Sequence, residues 1–153
     1  MTNGLPVEQA LDYLKSLDLT SVIERIVQID KWRRSDAEEA ANQYRNFLYL
    51  KKKYGAEYSL PPSKDIDEVW HAHILHTEEY MNFCEFFFGK YLHHQPGVIR
   101  SEYGAKDSKE MFSITQELYH KEFGTHIITV IKPLYIKALI GIFSLMRIEI
   151  LKY

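Results

Sequence analysis

Apolar residues recur in this chain at spacings of three and four over most of its length, the period of a helix that buries one face. Residues 7–17 set Ala10, Leu11, Leu14 and Leu17 on one side, and residues 22–32 do the same with Val22, Ile23, Ile26, Val27 and Ile29. Thr20 or Ser21 is the expected N-cap between them. Ser35 followed by Glu38 reads as a capping box that opens the clearest helix, with Ala37, Ala40, Ala41, Tyr44, Phe47 and Leu48 in one stripe up to Tyr54 and Gly55. Its terminal run Lys51, Lys52 and Lys53 reads as a solvated end that complements the helix dipole. After a Pro61-Pro62 loop, the pattern predicts helices over residues 65–75 and 78–88, the second closed by Gly89. Residues 97–107 are polar and irregular, and a further helix over 108–123 ends at Gly124.

With 7 glycines, 5 prolines and no hairpin-turn pairs between alternating runs, an all-β fold is excluded. A chain of 153 residues that is 46% apolar and 26% charged has the length and composition of one globular unit. The expectation is therefore an all-α, single-domain bundle of about six helices over residues 1–153, with a short extended segment near 127–131. Residues 134–151 are apolar nearly all round, but the longest uncharged run, 138–146, is far short of the roughly 20 residues that span a membrane. The segment reads as a last core helix or as a surface for a protein partner or a second copy. A formal charge of −2 gives no field for a polyanion, so nucleic acid is not an expected partner, and membrane contact is not expected either. One cysteine and a polar N-terminus without an apolar signal region point to the cytoplasm.

Chemistry concentrates in residues 61–96, which hold five of the 7 histidines, Cys84 and one of the 2 tryptophans. On a helix, Asp67 and His71 are four apart and share a face, so the carboxylate accepts from the imidazole or joins it on a metal. His73 lies about 200° from His71 around a helix, so the two converge only if the helix breaks there. Trp70 and Ile74 set an apolar wall beside the Asp67–His71 face. His71, Cys84 and His93 or His94, with Asp67 or His73 as a fourth donor, would satisfy zinc or another divalent transition metal. The competing reading is a buried hydrogen-bond network of Asp67, His71 and Trp70 that joins helices, with Cys84 as a small apolar residue. No zinc-finger, zincin, deaminase or phosphate-loop spacing occurs. A thiol nucleophile at Cys84 has less support, because Phe83, Phe86, Phe87 and Phe88 surround it with apolar groups.

These residues resemble the glycine-rich domain-containing protein-like family, a group of unknown function. The resemblance rests on Pro62, residues 65–67, Val69-Trp70-His71-x-His73, Leu75, Thr77, Tyr80, Cys84, Phe88-Gly89 and His93-His94-x-Pro96, and extends over about residues 20–124. It implies a helical domain in which Asp67, Trp70, His71, His73, Cys84 and His93 or His94 are the shared polar and aromatic positions, and it implies no established reaction. Plant members carry a glycine-rich tail that this chain lacks, and residues 127–153 depart from the family pattern. Two functions follow as expectations. One is a small helical metal-binding protein, with His71, Cys84 and His93 as first ligands, Asp67 orienting or adding to them, and His73 and His94 as the other candidates. The other is an interaction module in which the same residues, with Trp70 and Tyr80, hold helices together while the apolar C-terminal helix docks a partner or a second copy.

Overall fold

The helix that opens at the serine–glutamate pair is the axis of the structure. In the computed structural model, which describes residues 4–94 and 105–130 and the side chains of the second stretch from 109 onward, this helix spans Arg34–Tyr54. Ala37, Ala40 and Ala41 are fully buried, and their small side chains let neighbouring backbones come close. Four consecutive residues, Phe47, Leu48, Tyr49 and Leu50, are buried too. Successive helical residues step about 100° around the axis, so over that turn the helix is covered on every side.

Numbered in chain order, the described helices are α1 (Val7–Ser16), α2 (Thr20–Gln28), α3 (Arg34–Tyr54), α4 (Lys64–Leu75), α5 (Thr77–Phe88) and α6 (Ala105–Phe123). There is no strand among the described residues, and the all-α bundle of about six helices is what forms. Helix α3 packs against α1, α2, α4 and α6, and α5 packs against α4. The extended segment expected near 127–131 is irregular over 127–130, neither helix nor strand. The expected C-terminal helix at 134–151, with the partner or self-association surface assigned to it, lies outside the described residues, as does the loop at 97–104. No helix among the described residues is long and apolar enough to cross a membrane.

Helix starts follow different chemistry from the expected caps. Neither Thr20 nor Ser21 is an N-cap: Leu19 is, Thr20 begins the helix, and Asp18 accepts from the Thr20 amide at 2.9 Å and its hydroxyl at 2.6 Å. The Ser35–Glu38 box does not form, because α3 starts one residue before Ser35. There Arg33 grips Asp36 through two hydrogen bonds of 2.9 and 3.0 Å, a forked ion pair across the first turn, and no side chain caps a backbone amide. At α4 the cap is Ser63, whose hydroxyl accepts from Ile66 N–H. The lysines at the end of α3 are more than a solvated terminus. Lys52 donates to the Phe87 carbonyl at 2.6 Å, and Lys53 pairs with Glu122 at 2.8 Å. Arg45 likewise donates to the Leu17 carbonyl. Helix C-termini leave carbonyls without intrahelical partners, and α3 supplies cations to those of α1 and α5.

Gly89 closes α5 at φ 72°, the left-handed region. A Cβ there costs about 1–2 kcal/mol, so Gly89→Ala should lower unfolding free energy by that amount in urea titration, with helical content unchanged. An unaltered midpoint would mean that this turn is not fixed by its backbone conformation.

Candidate metal centre

Helix α4 continues unbroken from Lys64 to Leu75, and this decides which side chains can meet. Since no break occurs at His73, His71 and His73 take opposite faces, as a 200° separation demands. His71 points outward with its side chain 46% exposed, while His73 is buried at 2%. On the outer face Asp67 sits one turn before His71, with its Oδ2 3.8 Å from His71 Nε2. The third member comes from beyond α5: His94 Nε2 lies 2.6 Å from Asp67 Oδ1. One ligand atom from each of Asp67, His71 and His94 falls within 4.8 Å of the other two.

A relay of hydrogen bonds holds His94 there. The Trp70 indole N–H donates to the Tyr80 hydroxyl at 2.9 Å, and that hydroxyl donates to the Leu92 carbonyl at 2.6 Å. The segment leaving Gly89 is thus tied to α4 and α5 two residues before His94. The Trp70 ring then meets the His94 imidazole edge to face, with centroids 4.4 Å apart. The apolar wall expected from Trp70 is therefore real, and it covers His94, whose side chain is only 9% exposed.

The other candidates stand apart from this cluster. His73 faces inward, with Nδ1 3.0 Å from the Tyr44 hydroxyl and its ring edge-on to Tyr44 and Tyr80. Burial pushes its pKa down to about 4. His73 also lines a groove of about 660 Å³ with Tyr13, Ser21, Glu79, Asn82 and Phe83. Cys84 is fully buried, and burial raises its thiol pKa. An inert packed thiol is the result. His93 is exposed and lies against Tyr91, centroids 4.8 Å apart. Burial also holds the Tyr80 hydroxyl protonated, with a pKa well above the usual tyrosine range despite the opposing indole bond.

Sequence reasoning did not find Tyr44 as the partner of His73 or the Leu92 carbonyl as the anchor of the His94 segment. The first looks like any core aromatic in a helical stripe. The second is a backbone group, and no residue type signals it.

Fold and cluster together define an α-helical scaffold that presents two imidazoles and one carboxylate on the outer face of a single helix and the segment tied beside it. Residues 10–119 match the UCP032817-like family, and the chain belongs to it. It is also similar to the Glycine-rich domain-containing protein 1 of Arabidopsis thaliana, 33% identical over 128 residues, covering 76% of this chain and 15% of that protein. The resemblance read from residues 61–96 is thereby borne out, and the chain corresponds to a small part of that relative. No solved structure matches.

Two predictions follow from the buried side of the site. Tyr80→Phe leaves the Trp70 N–H and the Leu92 carbonyl without their partner, a loss of about 1–3 kcal/mol. Amide exchange over 90–94 should quicken in this variant, and unchanged exchange there would remove the relay from the account. For His73, the unfolded chain takes up a proton near 6.5 and the folded chain near 4. Above 6.5 both states carry neutral imidazole and the stability is whole; as pH falls from 6.5 to 4 the unfolded state binds the extra proton, costing about 1.4 kcal/mol per pH unit. His73→Gln should flatten that slope in urea titrations, and an equal slope in both proteins would contradict it.

Proposed function

We propose that this chain binds a divalent transition metal, zinc or a first-row neighbour, through Asp67, His71 and His94. The observation that carries the reading is the convergence of the three donor atoms within 4.8 Å. Donors on a tetrahedral zinc at about 2.1 Å from the ion sit roughly 3.4 Å apart. Asp67 and His94 at 2.6 Å would open slightly, and the half-exposed His71 has the freedom to swing inward. The donor set of two imidazoles and a carboxylate suits zinc, and is also that of non-haem iron sites with open positions.

Three protein donors leave at least one coordination position open, the arrangement of catalytic rather than closed structural sites. A closed structural zinc would need a fourth donor, and Cys84 is packed behind Tyr80. An ion bound here would act as a Lewis acid and lower the pKa of a water in the open position. Asp67, His71 and His94 would fix the ion, while Trp70 keeps one side of the site apolar and holds the His94 ring in place. This reading makes Trp70, Tyr80, His73 and Cys84 the structural part of the histidine-rich segment.

Elemental analysis of the untagged protein, before and after equilibration with zinc, tests the proposal. About one ion per chain is expected in the wild type, absent from Asp67→Ala, His71→Ala and His94→Ala and kept in Cys84→Ala and His93→Ala. A folded wild type that takes up no zinc, nickel or iron(II), or a Cys84→Ala variant that loses its ion, would sink it.

A further inference from the structure

On the side of the bundle formed by α3, α4 and α6, residues 127–130 are held in an unusual way. Helical side chains receive the main chain of this irregular segment. The Gln116 carboxamide pairs with Ile127 as a neighbouring strand would, accepting from its N–H at 2.8 Å and donating to its carbonyl at 3.0 Å. Gln43 Oε1 accepts from Ile128 N–H at 3.0 Å, and Asp65 Oδ2 accepts from Val130 N–H at 2.6 Å. The receiving groups come from three helices, and two of the residues, Gln43 and Asp65, are buried. Of the segment's own side chains, Ile127 and Val130 are buried, while Ile128 is 55% exposed and Thr129 is exposed.

We propose that Gln43, Asp65 and Gln116 form a binding site for an extended peptide, that residues 127–130 occupy it in cis, and that a peptide with two β-branched anchors three residues apart binds it in trans. Main-chain hydrogen bonds give affinity without regard to sequence, and two anchors give a short recognition pattern, the division of labour in strand-adding peptide sites. The site has a reason to stay filled. Asp65 spends a buried carboxylate on one amide, and a charge covered by protein is costly without its hydrogen bonds. All three receiving residues fall within the 10–119 match to the family, whereas the occupant lies beyond it. The receptor thus belongs to the family region and the occupant to the part of this chain outside it. The site is separate from the Asp67, His71 and His94 cluster and does not depend on a metal.

The test uses the full chain and a fluorescently labelled, capped peptide with the sequence of residues 125–131. Anisotropy titration of the wild type should show weak binding, because the tethered segment competes at high effective concentration. Full-length Ile127→Asp/Val130→Asp, with its own anchors disabled, should bind the peptide at least about tenfold more tightly. Adding Gln116→Ala to that variant should remove the gain, and a control peptide with aspartate at both anchor positions should not bind. If the anchor variant keeps its helical circular dichroism yet binds the two peptides equally, the segment is a fixed tie and the proposal fails. Should that variant not fold, the wild type decides with a peptide carrying a photoreactive side chain at the Ile128 position. Crosslinks beside Gln43 and Gln116 that unlabelled peptide suppresses are the expected result, and their absence overturns the proposal.

Discussion

The central place of α3, packed against four other helices and buried on every side over residues 47–50, is the constraint on which the rest of the structure depends. Glu38, Glu39 and Asn42 keep a solvent face on the first half of α3, but the polar residues that the helix turns toward its neighbours must be matched by groups there. Gln43, Tyr44, Arg45, Asn46, Lys52 and Lys53 each have such a match, on the 127–130 segment, α4, α1, α6, α5 and α6 respectively. Apolar packing supplies most of the driving force in such a core, about 1.5–3 kcal/mol for each fully buried large side chain. Packing of this kind is tolerant of small rotations. The hydrogen bonds remove that tolerance, because those of the buried Gln43 and Tyr44 leave a buried group unpaired if a neighbouring element turns.

Fixing the rotation of α4 fixes its chemistry. The Tyr44–His73 bond points one side of α4 at the core, and the period of the helix then sends Asp67 and His71 outward together. Two histidines on one helix, separated by one residue, thereby come to opposite ends of the scale. His73 is buried, with its pKa pushed down to about 4, and His71 is half-exposed on the outer face. Trp70 stands between the two faces and serves both, since its indole N–H bonds Tyr80 on the inside while its ring faces His94.

Local periodicity made this much legible. The Asp67–His71 pairing, the divergence of His71 and His73, the Trp70 wall, the Gly89 stop and the stripe of α3 all follow from 3.6 residues per turn and from the conformations glycine permits. The cap assignments at Thr20, Ser21 and Ser35 did not follow: Asp18 takes the Thr20 amide, and α3 begins one residue before Ser35, where Arg33 and Asp36 pair with each other. The choice of His94 over His93 was beyond local pattern too. Over residues 90–94 the chain is neither helix nor strand, and its register is set by the Tyr80 hydroxyl reaching the Leu92 carbonyl. The 127–130 attachment was least visible of all. Gln43, Asp65 and Gln116 are separated by tens of residues and bind backbone, so no residue type in the partner segment marks the contact.

The charge in the outer cluster decides what it can hold. Asp67 contributes one negative charge, and two ligating imidazoles are neutral, so a divalent ion bound by all three retains a net positive charge. Nothing in the Trp70 ring offsets it, and the low polarity of that wall strengthens the field in the remaining open directions. A water there would lose a proton readily, and an anionic oxygen would displace it with little resistance. A structural metal site is built the other way, with thiolates that neutralise the ion and close the coordination sphere. With the one cysteine committed to the core, an ion held by the proposed donor set would bind and polarise something from outside rather than hold the fold together, a task that α3 and its hydrogen bonds already perform.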